Sequence, residues 1–420
     1  MRATALLVLM LAAALLPDGA AAQVTALTHA IVIDGTGAAP RNDFTVVMEN
    51  GRIREMRTAL PAPPNATVVD LAGKFVVPGI INAHGHVGPA PRDPQLRRYA
   101  LYGVTTTTSM SFDPDDIAEF KDKQKAGDLH GARILTVKYR FMSAPQMPGS
   151  EYKTPEAARA KVDEIVKSGA DFIKVWIDPQ GGRYPRLGRE YVAAVFDQAR
   201  KYGKLTMAHV VELADARMAV EEGVNILAHD VRDQEMPADF LAVLKQKNVS
   251  VISTLAREEG MFVYGSEGPG FTDDAFFVKA LTSEQLANLQ RKRAEQARGR
   301  DRPAMLRAFD IDKINVKKIW ENGVRLGFGT DSGGDPNRYF VQGFAEHRQM
   351  ELLRQAGLAP IQIIQAFSKN NSELLGIAAD FGTLATGKAA DLLVLARNPL
   401  EDIANLRTIE VIYLGGKRFE

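Results

Sequence analysis

The chain has 420 residues, 45% of them hydrophobic, enough to bury a large core, with a formal net charge of +1. That balance, and the lack of a basic stripe interleaved with aromatics, excludes a nucleic-acid footprint. There is no cysteine, which excludes a disulfide framework, a thiolate metal site and a cysteine nucleophile.

Arg2 precedes an apolar run from Ala3 to Leu16, followed by Pro17, Asp18 and the small residues Ala20, Ala21 and Ala22. This pattern predicts a secretory signal over 1–22 cleaved after Ala22. The run is shorter than the roughly 20 residues that span a bilayer. The expected mature protein is periplasmic or secreted and free of the membrane. Next come the alternating stretches HAIVID, FTVVMENGRIREM and ATVVDLAGKFVVPG, short strands separated by Gly and Pro turns. From Pro78 the pattern changes to strand then amphipathic helix, repeated, which implies a parallel sheet with crossover helices.

The repeat predicts strands at IINAHGH, VTTTTSM, RILTVKY, FIKVWI, LTMAHV, NILAHD, VSVISTLA and RLGFGTD. Helices are expected in PDDIAEFKDKQKAG, TPEAARAKVDEIVKSG, REYVAAVFDQARKYG, ELADARMAVEEG and PADFLAVLKQKN. FAEHRQMELLRQAG and PIQIIQAFSKNNSELLG follow the last strand, and strands return in AADLLVLA and IEVIYLGG. The fold class is α/β. A (β/α)8 TIM barrel over 78–375 carries the chemistry, and 23–77 plus 376–420 form a small β-sandwich. One connection, from Glu258 to Leu306, is longer than such a loop requires, and its Gly-rich part from Tyr264 to Gly270 is a lid candidate.

Five of the expected strands end in a group that can hold a metal: His84 and His86, Lys174, His209, His229 and Asp331. The C-terminal ends of barrel strands are where such a fold assembles its active site. His84 and His86 are two residues apart and project to the same side of a strand, with Gly85 relieving crowding between them. His209 and His229 end adjacent strands. Of the seven histidines, His29, His130 and His347 have no such setting.

A lysine inside the apolar run from Phe172 to Trp176 would bury an ammonium unless its charge is removed. Lys174 could pair with a buried carboxylate such as Asp331, or react with carbon dioxide to give a carbamate. The surrounding histidines favour the carbamate, an anion able to bridge two divalent cations. Asp331, among the small residues of Gly-Thr-Asp-Ser-Gly-Gly, can both ligate a metal and accept a proton.

These residues resemble the binuclear metal-dependent hydrolases of the amidohydrolase superfamily, particularly secreted members similar to imidazolonepropionases and metal-dependent prolidases. The likeness runs over nearly the whole mature chain and includes the C-terminal GTLATGKAADLLVLARNPLEDI. It implies that His84 and His86 with Asp331 hold one metal and His209 and His229 the other. The carbamate on Lys174 and a hydroxide would bridge the two divalent ions, most readily Zn2+, though manganese, iron and cobalt suit the same ligands. Asp331 would shuttle a proton during hydrolysis of an amide or peptide-like C–N bond in a small molecule. No nucleic-acid or membrane partner is implied, and a homo-oligomer is compatible.

Three departures bear on the substrate. Asn82 stands where many members carry Asp, Val211 where dipeptidase-like members often carry Tyr, and Asp230 where a Gly commonly follows the fourth histidine. Trp176, Arg140, Arg257 and Arg338 are candidate substrate contacts, an arginine there being suited to a carboxylate. Two other readings stay open. A deaminase of the same superfamily would use one metal and no carbamate, and a non-catalytic binding module would have lost ligands. Amide, dipeptide, cyclic imide and lactone substrates all fit.

Overall fold

A computed structural model describes residues 24–88, 91–143, 154–179, 182, 184–265, 274–279, 281, 283–297, 302–334 and 341–419. The expected signal at 1–22 and Arg338 lie outside the described residues, as does most of the Gly-rich stretch after Tyr264. Among the described residues no helix is long and apolar enough to cross a membrane.

Both ends of the chain contribute to one eight-stranded sheet. Its N-terminal strands are Thr25–Val32, Arg41–Glu49, Arg52–Thr58, Thr67–Asp70 and Phe75–Pro78. Leu392–Leu395, Ile409–Leu414 and Lys417–Phe419 complete it, with Leu392–Leu395 lying antiparallel to Phe75–Pro78 so that Leu393 faces Val77. The inward residues of this sheet, among them Leu27, Val46, Ile53, Leu392 and Val394, form a core of their own. Pairing the two ends of a chain this way burdens folding with a long loop closure, offset here by the burial of that apolar face.

The central region holds eight parallel strands. They are Ile80–Asn82, Val104–Ser109, Arg133–Thr136, Phe172–Trp176, Leu205–His209, Ile226–Leu227, Ser250–Ser253 and Leu326–Phe328. The third strand resumes at Arg140–Phe141, where Arg140 lies opposite Lys174. Hydrogen bonds close the series into a circuit: the Asp171 N–H donates to Thr136 O at 2.8 Å, and the Ala83 N–H donates to Phe328 O at 3.0 Å, returning the last strand to the first. Buried on both faces, these strands read as apolar or β-branched runs, as parallel strands should.

Helices connect consecutive strands. Pro155–Lys167 shows why they begin where they do: Pro155 needs no N–H partner at the first position, and Thr154 Oγ1 accepts from the Ala157 N–H. The connection after the seventh strand contains Leu255–Gly260, Ser283–Ala297 and Arg302–Glu321. The last of these runs through Leu306, where the sequence pattern placed the end of the excursion. Its inward stripe includes the polar Asp312 and Asn315 beside Phe309, Val316 and Ile319, and these mask the apolar period. The flanks of this connection are packed down. Tyr264 is buried with its N–H on Gln296 Oε1, and Phe277 lies edge-on to Phe344.

Candidate metal centre

The six sequence-predicted side chains converge at one end of the parallel strands, and all but Asp331 are buried. The Lys174 amine lies 3.0 Å from His84 Nε2. The His84 and His229 rings are 4.4 Å apart, and His229 and His209 are 4.3 Å apart. His86 Nε2 is 2.6 Å from Asp331 Oδ1, and His84 Nε2 is 3.7 Å from the same oxygen. His29 and His130, by contrast, are exposed beside Asp70 and Asp128, and buried His347 donates to Tyr102 O.

Local structure puts these groups where they are. The Asp331 turn enters with a left-handed backbone, φ +52°, held by N–H bonds from Thr330 and Asp331 to His84 O at 3.0 and 2.7 Å. A non-glycine residue in that region costs on the order of 1–3 kcal/mol, a cost tolerated where surrounding bonds over-determine it. Close approach demands glycine on either side of the turn. A Cβ on Gly329 would lie 2.5 Å from His84 Cβ, and one on Gly333, at φ +87°, would lie 2.2 Å from His86 O. His209 lies opposite Trp176 in the strand register, and the two rings stack at 3.8 Å and 18°. Arg140 covers Trp176, its guanidinium carbon 5.0 Å from the ring.

Burial favours the neutral form of His84, His209 and His229. It lowers His209 to about 4 and depresses His84 and His229 well below the ordinary histidine range, with Lys174 adding to the effect on each. A neutral imidazole presents the lone pair that a metal needs. Nε2 of His229 is buried and makes no hydrogen bond among the described residues, an expensive arrangement for a group with no other purpose, and Nε2 of His209 has only Asp178 Oδ2 at 3.6 Å. One ligand atom each from His84, His229 and Asp331 lies within 4.8 Å of the others. The residues present therefore fit a divalent metal.

Further residues support this set without any sequence pattern that announces them. Thr254 Oγ1 is 2.7 Å from His229 Nδ1, and its N–H donates to Asp230 Oδ2. Asp178 Oδ2 lies 3.6 Å from His209 Nε2, just past the strand that carries Lys174. Glu346, fully buried near the start of Phe344–Gln355, accepts from Asn82 Nδ2, Thr330 Oγ1, Ser332 Oγ and the Gly343 N–H. Of the candidate substrate contacts, Arg257 places Nε 3.6 Å from Asp331 Oδ2 and Nη1 2.7 Å from Glu258 Oε1.

The model of the amidohydrolase family matches residues 75–418. The chain belongs to the amidohydrolase family. This amidohydrolase is 24% identical over 372 residues to adenine deaminase of Moorella thermoacetica, covering 84% of this chain and 51% of that protein. It is 25% identical over 279 residues to ochratoxinase of Aspergillus niger, covering 63% of this chain and 49% of that protein. The chain thus spans about half the length of the curated relatives it matches. A solved Xaa-Pro dipeptidase with methionine bound in its active site superposes with a TM-score of 0.73 at 20% identity, over 95% of this chain and 100% of that one. Such amidohydrolase neighbours have the TIM-barrel, mixed α/β fold, and the family is metal-dependent and acts on C–N bonds of small molecules.

Proposed function

We propose that this amidohydrolase is an exported, metal-dependent hydrolase that cleaves an amide or peptide-like C–N bond of a small molecule. In this reading 78–375 is a (β/α)8 catalytic barrel, 23–77 with 376–420 is a small β-sandwich, and 1–22 is the export signal. The observation that carries the site is the Lys174 amine set among neutral imidazoles, 3.0 Å from His84 Nε2. Addition of carbon dioxide to Nζ with loss of a proton turns that buried amine into an anionic ligand.

His84, His86, His209, His229, Asp331 and the Lys174 carbamate would hold two divalent ions, zinc being the best match to this donor set. Bound there, the ions supply Lewis acidity and bring the pKa of a water toward neutrality. Asp331 is the group at the mouth that takes a proton from the attacking water and returns it to the departing nitrogen, acting as base and then acid. Arg257, beside Asp331, orients an anionic substrate group, while Trp176 stacked on His209 provides an apolar wall.

Metal stoichiometry tests this reading. Protein reconstituted with zinc and bicarbonate is expected to hold two metals per chain and to hydrolyse members of an amide and dipeptide panel. No metal would overturn it. A second reading, a mononuclear deaminase, is favoured by the three-ligand cluster of His84, His229 and Asp331 and by the likeness to adenine deaminase. One metal per chain with ammonia release from an aminopurine would select it.

A further inference from the structure

Two arms carry the candidate ligands. One is the first strand with His84 and His86, and the other is the turn after the last strand with Asp331. Behind both lies a single buried carboxylate. Glu346 Oε1 accepts from Asn82 Nδ2 at 2.5 Å, from Thr330 Oγ1 at 2.9 Å and from Ser332 Oγ at 3.1 Å, while Oε2 accepts from the Gly343 N–H at 2.6 Å. Asn82 completes the link, since its Oδ1 accepts from the His84 N–H at 3.0 Å and its Nδ2 also reaches Thr330 Oγ1 at 2.9 Å. Both side chains are fully buried. Asn82 and Glu346 are 264 residues apart in sequence, so no short motif contains them.

We infer that Asn82 and Glu346 form a matched donor–acceptor pair that positions the His84/His86 strand against the Asp331 turn. The pairing is directional. In E346Q one of the two carboxylate oxygens is replaced by an NH2 group, which then faces either Asn82 Nδ2 or the Gly343 N–H, donor against donor. In N82D the amide that Glu346 needs becomes a second carboxylate at hydrogen-bond distance, inside a buried site where like charges are costly. In the double variant N82D/E346Q the NH2 faces the new carboxylate and the remaining amide oxygen accepts from the Gly343 N–H, so the link is restored with its polarity reversed. Both are positioning residues, acting through His84 and Asp331. The inference rests on the proposed metal site but not on any particular substrate.

The test is a double-mutant cycle read as zinc retention against a competing chelator, alongside the melting temperature of the metal-stripped protein. Partners that orient metal ligands typically cost 10–100-fold in metal affinity when removed. E346Q and N82D are each expected to weaken zinc at least about tenfold, and the double variant to recover to within about threefold of wild type. A double variant no better than the worse single, or single variants that hold zinc like wild type, would overturn the pairing. If the single variants fail to fold, the double decides alone: soluble, zinc-holding protein supports the pair, and a third failure to fold overturns it. Wild-type protein that holds no zinc would count against the proposed function, and the pairing would then be judged by the metal-free melting temperatures, with recovery in the double variant supporting it and no recovery overturning it.

Discussion

The Thr254 hydroxyl sits 2.7 Å from Nδ1 of His229, on the side of the ring away from Nε2, which makes no hydrogen bond. A proton on Nδ1 donated to that hydroxyl leaves Nε2 as a lone pair facing the cluster. By accepting that proton the hydroxyl supports the tautomer that can bind a metal. Thr254→Val keeps the shape and removes this partner. Zinc affinity is expected to fall by about 10–100-fold while Thr254→Ser stays near wild type. Equal zinc affinity in Thr254→Val would mean that something else sets the tautomer.

Lys174 and Asp331 separate metal binding from turnover. Lys174→Ala removes the amine proposed to become the bridging anion, so metal content and activity are expected to disappear together. Asp331→Asn keeps an oxygen ligand but loses the proposed base, so metal is expected to be retained while kcat drops by about 100-fold or more. Elemental analysis and steady-state kinetics on both variants check this. Hydrolysis by Lys174→Ala without an added small carboxylate would defeat the carbamate.

The parts legible in the sequence are those built from local pattern. His209 ends its strand and His84, His229 and Asp331 follow theirs within three residues, while Lys174 stands in the middle of Phe172–Trp176 as a lone cation in an apolar run. What escapes is whatever depends on a partner far along the chain. Glu346 looks like an ordinary polar residue in an amphipathic helix, and only the circuit of strands brings it behind Asn82. Thr254 reads as one more β-branched residue until His229 is placed beside it. Arg302–Glu321 is hidden for a related reason: Asn315 belongs to its buried stripe because it bonds the Val231 and Gln234 carbonyls and the Met236 N–H. A buried polar residue that serves a distant backbone breaks the apolar period from which helices are read.

His347 makes acid stability testable away from the metal cluster. Burial lowers it to about 3, and its Nε2–H donates to Tyr102 O at 2.9 Å. Between about 3 and the ordinary 6.5 the unfolded chain takes up a proton that the folded chain refuses, so stability is complete above 6.5 and falls as pH drops. This residue should cost wild type about 2 kcal/mol between pH 7 and pH 5. Asp215, pushed up to about 6 chiefly by burial, works in the opposite sense, since its folded form gains a proton on acidification. A differential measurement isolates His347: urea unfolding of metal-free wild type and His347→Gln should show the gap between them shifting in favour of the variant as pH falls. A gap unchanged from pH 7 to pH 5 would show that His347 is not held neutral.

Arg257 bears on what the enzyme accepts. Its Nε lies 3.6 Å from Asp331 Oδ2, and Glu258 holds both its Nη1 and Nε of Arg232, so two guanidiniums share one carboxylate beside the cluster. Lying beside Asp331, Arg257 is a candidate partner for a substrate carboxylate. Arg257→Met is therefore expected to raise KM at least about tenfold for an acyl amino acid while changing kcat little, the signature of lost uniform binding. The matched acyl amino-acid amide, lacking the charge, should be affected by less than about threefold. Equal losses on the two substrates would make Arg257 a support for Asp331 rather than a reader of substrate charge, and a loss confined to kcat would point the same way.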